Sequence, residues 1–139
     1  MTLIDSDVFL IDKFYIRDTR FGVNREFLDE VLNKKTCTTI YNLLEICGIL
    51  SHNLSKKELM QFFEDFQKTY KIKILFPNLD MHGEEFHKKL VQGVFDNISL
   101  KMSFGDALIL WTAKHFAGKS EFECLTPAEY LKKRKKKVK

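Results

Sequence analysis

Short β-branched or apolar runs alternate along this chain with longer segments of helical period, and that alternation constrains the fold most. "TLID", "KTCTTI" and "KIKILFP" are too short for helices and read as strands, the third closed by Pro77. Between them, "NREFLDEVLN" places Phe27, Leu28, Val31 and Leu32 at helical spacing behind Asn24, a residue suited to a cap. In "YNLLEICGILSH", Ile40, Leu43, Leu44 and Cys47 form one stripe, with Glu45 off it. "LSKKELMQFFEDFQKTY" is the clearest helix. Ser55 and Glu58 fit a capping box, and Leu59, Phe62, Phe63, Phe66 and Tyr70 recur at core spacing. "EEFHKKLVQGVFDNI" follows with Phe86, Leu90, Val94 and Phe95 inward, then "FGDALILWTAKHF", helical after Gly105. "FECL" reads as a late strand. "TPAEYLKK" opens a last helix, with Thr126 as cap and Pro127 in its first turn.

Strands alternating with helices predict an α/β fold, a three-layer α/β/α sandwich with a mainly parallel central sheet. At 139 residues the chain suits one domain, expected over residues 1–131, with a basic tail at 132–139. Seven of the 23 basic residues lie in that tail, "KKRKKKVK". The remaining 16 face 19 acidic residues, so the body carries a net −3. A like-charge run is solvated and can also attract phosphates. No apolar run is long enough to span a membrane, and the N-terminus does not read as a signal peptide. Three widely spaced cysteines, Cys37, Cys47 and Cys124, with no CxxC, suit free thiols in a reducing cytoplasm.

The chemistry concentrates in acids. "LIDSDVFL" carries Asp5 and Asp7 at the end of an apolar strand, which does not need them to fold. In open parallel sheets, sites form beyond the carboxyl ends of the strands. Asp5 ends the first strand, Glu45 lies early in the helix after the second, and Asp106 opens the "GDALIL" helix. Three converging carboxylates resist ionising, and a divalent cation relieves them. Each has a plainer reading: Asp5 and Asp106 as helix caps, Glu45 as a surface acid. His52, His82, His87 and His115 show no ligand spacing, and Tyr41 and Trp111 read as core.

These stretches resemble the PIN domain ribonucleases, and within them the toxin half of VapBC-type toxin–antitoxin pairs. "LIDSDVFL" is similar to the family's opening strand with its D-x-(N/D)-(V/I) pattern. "TTIYNLLEICGIL" is similar to the segment carrying the second acid, at Glu45. "FGDALIL" is similar to the D-A motif carrying the third, at Asp106, and "KHFAGKSEFECLTPAEYL" to the closing stretch. The resemblance implies a Mg²⁺-dependent endoribonuclease, with Mn²⁺ as a substitute. Asp5, Glu45 and Asp106 would be catalytic and metal-holding, Asp7 and Thr112 would support them, and Lys114 and His115 would contact RNA. It also implies a homodimer and a small antitoxin protein that blocks the cleft.

One stretch departs from the pattern. "DALILWTAKHF" runs straight from the D-A motif into the closing segment, about a dozen residues short of a usual strand and its connection. Thr112 is then the one polar candidate for a fourth site position. A module that only binds RNA or a partner is therefore the alternative. A haloacid dehalogenase-like phosphatase with Asp5 as nucleophile fits less well, because Phe9 stands where Thr or Val is wanted and "ALIL" follows where another Asp is wanted.

Overall fold

The computed structural model describes residues 2–76 and 81–116. Its elements run β1 (Thr2–Leu3), α1 (Ser6–Lys13), α2 (Phe21–Val31), β2 (Thr36–Thr39), α3 (Ile40–Leu50), α4 (Lys56–Tyr70), β3 (Lys73–Leu75), α5 (Gly83–Ser99) and α6 (Phe104–Phe116). The fold is mixed α/β. The three strands form an all-parallel sheet in the order β1-β2-β3. Thr2 pairs with Thr36 and Leu3 with Cys37, while Cys37, Thr38 and Thr39 pair with Lys73, Ile74 and Leu75. The predicted closing Pro77, the "FECL" strand, the "TPAEYLKK" helix, the basic tail and Cys124 lie outside the described residues.

Alternate strand positions feed two separate cores. Ile4, Ile72 and Ile74 join Phe9, Phe27, Leu43, Ile46, Phe66 and Tyr70 in a cluster built from α1 to α4. Leu3, Cys37 and Leu75 join Ile109 and Ala113 of α6, with Tyr41 against them. A third cluster, Val94, Ala107 and Trp111, holds α5 to α6. Phe9, Phe66 and Tyr70 meet edge-on or tilted at 4.8–5.1 Å between centroids. At the edge of the large cluster the Asp12 carboxylate accepts from Tyr70 Oη at 2.8 Å and from Arg25 Nη1 at 2.8 Å, joining α1, α2 and α4. Burial pushes the Tyr70 hydroxyl up, and the bond to Asp12 adds to that.

Several sequence expectations are corrected. The strand read over "TLID" is two residues long, and the apolar run after Asp5, to which the sequence pattern gave no element, is helix α1. Val8, Phe9, Leu10 and Ile11 are all buried, so α1 shows no amphipathic stripe to betray its period. Asn24 is not a cap. It lies inside α2, fully buried, and donates its amide to Val8 O at 2.9 Å. Leu44 and Phe95 point outward, 51% and 64% exposed. Half of the Ser55–Glu58 capping box of α4 forms: Glu58 N donates to Ser55 Oγ at 3.2 Å, but the Glu58 carboxylate accepts from the Ser55 hydroxyl at 2.8 Å instead of from the Ser55 backbone N–H. Cys37 and Cys47 are free thiols. No helix of the described residues is long and apolar enough to cross a membrane.

Trp111 is a core residue, 3% exposed. It packs so closely on Gly93 that its indole occupies the place a side-chain carbon would take. Gly48 of α3 has open space instead. Gly93→Ala should therefore lower stability by about 1–3 kcal/mol through overpacking. Gly48→Ala should raise it by about 0.5–1 kcal/mol through helix propensity. Urea unfolding of both variants checks the opposite signs.

Candidate functional site: an acidic pole at the strand ends

The site forms where β1 and β2 end and α1 and α3 begin. Asp5 is the N-cap of α1, and its Oδ1 accepts from Ser6 N at 2.8 Å. The same oxygen accepts from Asn42 Nδ2 at 3.2 Å. Asn42 belongs to the capping box of α3. Its backbone N donates to Thr39 Oγ1 at 3.1 Å, while its Oδ1 accepts from Thr39 N at 3.1 Å and Thr39 Oγ1 at 2.7 Å. Asn42 Nδ2 also donates to Ser6 Oγ at 3.1 Å. Below them Thr38 Oγ1 donates to Ile4 O at 2.8 Å, and Ile4 N to Cys37 O at 2.8 Å. Buried Ser6, Thr38, Thr39 and Asn42 thus weld two helix N-termini to two strand ends.

The acids stand on this floor. Asp7 lies in the first turn of α1 and Glu45 in α3, one turn past Tyr41; both are exposed, as is Asp5. Asp106 sits in the first turn of α6 and is also exposed. Its backbone N donates to Ser103 Oγ at 3.2 Å, so Ser103 performs the capping and the Asp106 carboxylate is not needed for it. Glu45 reaches the same helix start: a side-chain carbon on Gly105 would stand only 3.2 Å from Glu45 Oε2. Gly105 is thus the residue that lets α6 approach the acid.

The carboxylates act on one another. Desolvation raises the Asp5 carboxyl first, and the charges of Asp7 and Asp106 add to it, against the lowering bonds from Ser6 and Asn42. Desolvation likewise raises Glu45 first, reinforced by Asp5, Asp106 and Asp7, while a bond from the Ser6 hydroxyl lowers it. Three helix N-termini offset part of this repulsion, because their exposed N–H groups favour negative charge.

Asp5, Asp7, Glu45 and Asp106 therefore share one pole. The other sequence-predicted site residues do not. Thr112 is fully buried on α6, and its hydroxyl donates to Leu108 O at 2.8 Å within the helix. Lys114 and His115 lie in the last turn of α6, about 12 Å along the axis from Asp106 at 1.5 Å per residue. His115 stacks on Trp111 at 4.5 Å between centroids. Ser6, Thr39 and Asn42 were not among the sequence-predicted site residues. The T-x-x-N spacing of a capping box was the signal for two of them. Among the described residues no group of three or more His, Cys, Asp or Glu side chains is posed to hold a metal ion. Neither the known family models nor the curated proteins give a match to the chain.

Raised carboxyls carry a definite pH signature. Asp5 and Glu45 bind protons more tightly folded than unfolded, so the stability they contribute is present below their ordinary values of 3.8 and 4.5. It is lost as the pH rises through their raised folded values. Glu45→Gln removes one charge and relieves Asp5. It should raise Tm by roughly 2 °C at neutral pH, and the gain should fade toward about pH 4. Thermal melts across that range check it.

Proposed function

We propose that the chain is a Mg²⁺-dependent endoribonuclease, the toxin of a toxin–antitoxin pair, built as a PIN-like three-layer α/β/α sandwich. The observation that carries this reading is the gathering of Asp5, Glu45 and Asp106 at the strand ends. The resemblance expects its three acids there, and neither the α6 cap nor the core requires Glu45 or Asp106. The donor set suits a hard cation. All its atoms are oxygens, ionisation of Asp5 and Glu45 is opposed by burial and by neighbouring charge, and Ser6 and Asp7 adjoin. Asp5, Glu45 and Asp106 would hold Mg²⁺ or Mn²⁺, with Asp7 orienting water beside them. The bound ion supplies an activated water and neutralises charge at the RNA phosphate. Asn42 and Ser6 keep the Asp5 carboxylate facing the pole.

The test is metal-dependent cleavage of single-stranded RNA by the parent and by Asp5→Asn combined with Asp106→Asn. The parent should cut in Mg²⁺ or Mn²⁺, and the double variant about a hundredfold more slowly. Mn²⁺ should raise the Tm of the parent and leave that of the double variant unchanged. Equal cleavage rates would sink the mechanism. The runner-up, a module that binds RNA without cutting it, is favoured by the placement of Thr112, whose hydroxyl bonds within α6 and leaves the fourth position unfilled. Absence of both cleavage and a metal-induced shift would select it.

A homodimer fits the same reading. Val91, Phe95 and Ile98 recur at helical spacing on α5 and stand 62%, 64% and 39% exposed, with Leu100 and Phe104 beyond them at 70% and 67%. An apolar face of that extent marks an interaction surface, and a second copy is the partner the resemblance implies. A small antitoxin would cover the acidic pole, and the cytoplasm is the compartment where such a toxin meets RNA. Phe95→Glu should convert the dimer to monomer in gel filtration and light scattering without unfolding it.

A further inference from the structure

An acidic pole has a difficulty with RNA. Asp5, Asp7, Glu45 and Asp106 repel the polyanion they are meant to process, and Lys114 lies at the far end of α6 with His115 beside it. Another cation must bring the backbone in. The loop between α1 and α2 supplies one.

This loop is a built structure. Phe14 N and Tyr15 N both donate to Leu10 O, at 2.9 and 3.1 Å; Asp18 N donates to Tyr15 O and Phe21 N to Asp18 O, each at 3.0 Å. The Phe14 ring packs edge-on against Phe62 of α4 at 5.8 Å. Anchored there, the loop turns Tyr15 and Ile16 outward, 43% and 62% exposed. Phe14, Tyr15, Ile16, Arg17 and Asp18 line an open concavity of about 370 Å³, within the range of small-molecule sites at about 300–1,000 Å³.

Arg20 closes the loop in a fixed pose. Its Nε and Nη2 donate to Asp18 Oδ1 and Oδ2 at 3.0 Å each, and its backbone N donates to Asp18 Oδ1 at 2.8 Å. These bonds from Arg20 hold the Asp18 carboxyl down at about 2, so Asp18 stays ionised and the fork persists through the neutral range. A guanidinium has five N–H donors, the fork uses two, and the Arg20 side chain is 63% exposed. Its location follows from α2. Asn24 N donates to Arg20 O at 2.9 Å, and Asn24 Nδ2 donates to Val8 O at 2.9 Å. The start of α2 is thereby tied to the first turn of α1, where Asp7 lies, and the Asp7 charge is felt at Arg20.

We propose that this loop is a nucleotide-holding subsite beside the acidic pole. The concavity of Phe14, Tyr15 and Ile16 takes one base of a single-stranded RNA, and Arg17 and Arg20 take its backbone phosphate. The inference rests on the ribonuclease reading and extends it to how substrate is held. Exposed aromatic surface next to arginine is the combination that binds single strands without sequence preference, because every base has a stacking face and every nucleotide a phosphate. Arg20, oriented by Asp18, loses little freedom on meeting a phosphate, and planar donors suit its oxygens.

The test uses a fluorescein-labelled 2′-O-methyl oligouridylate, which resists cleavage, and reads binding by anisotropy without divalent metal. Tyr15→Ala and Arg20→Ala should each weaken binding about tenfold. Arg20→Ala should also reduce the slope of log affinity against log salt by about one. Tyr15→Phe, which keeps the ring, should bind like the parent; that rescue separates stacking from a loop that has merely come apart. Unchanged affinity in both alanine variants, or no affinity in the parent, overturns the subsite. The Mn²⁺ thermal shift of the same variants is read separately. Retained shift with unchanged RNA affinity removes the subsite and leaves the metal reading standing. Lost affinity with no Mn²⁺ shift in any variant keeps the subsite and removes the metal.

Discussion

The side-chain amide of Asn42 is the constraint on which the rest of this structure depends. It is fully buried, and each of its polar atoms is bonded: Oδ1 to Thr39, Nδ2 to Asp5 and Ser6. Through it the start of α3 is tied to the start of α1, and both to the ends of β1 and β2. A buried polar group without partners costs about 1–3 kcal/mol, so such a network is stabilising only when complete. Completeness also gives it direction. An apolar residue at 42 could fill the volume, but nothing would then fix which way the Asp5 carboxylate turns.

A fold that invests in orienting one carboxylate, and then brings Glu45 and Asp106 beside it, is carrying a cost. Desolvation and neighbouring charge both oppose the ionised forms of Asp5 and Glu45. The helix N-termini offset part of that cost and do not explain why it was incurred. Asp12 is the useful contrast. It is more deeply buried, its side chain only 4% exposed, yet Arg25 and Tyr70 satisfy it, and its role is to join α1, α2 and α4. Among the described residues no ion pair joins the acids of the pole to a cation, and local consistency breaks there in the manner expected of a functional site.

Much of this was legible in the residues. The order of strand and helix segments gave the parallel sheet: the strands showed as short β-branched or apolar runs, β2 being buried throughout, and most helices as segments of period near four. The Ser55 cap of α4 formed as read, and Leu59, Phe62, Phe66 and Tyr70 of its stripe join the core, but Phe63 turns out, 42% exposed. What failed was α1, where four successive buried residues, Val8 to Ile11, erase the periodic signal, and Asn24, which looks like a cap yet bonds across to Val8 from inside α2. Phe95 was misplaced for a related reason. Val94 and Phe95 are both apolar, and only the packing of α5 on α6 decides that Val94 turns in. The acids Asp5, Glu45 and Asp106 were legible as polar residues out of place beside apolar runs. Their supporting Ser6, Thr39 and Asn42 were not, since small polar residues at helix starts are ordinary in any sequence.

The short stretch after Asp106 takes its meaning from α6. "DALILWTAKHF" is one continuous helix through Phe116, so Trp111 and Thr112 belong to helix α6. Their side chains follow from that. Trp111 fills the space that Gly93 leaves open, and Thr112 bonds back to Leu108. A helix rising about 1.5 Å per residue carries these positions away from the pole, and no rotamer of Thr112 brings it back. Any further polar group beside Asp5, Glu45 and Asp106 must then come from another element. Ser6 and Asp7, in the first turn of α1, already stand there: the Ser6 hydroxyl favours the Glu45 carboxylate, and the Asp7 charge acts on both Asp5 and Glu45. The polar complement of the pole is supplied by the helix that Asp5 caps, and α6 contributes Asp106 and the glycine that lets Glu45 approach.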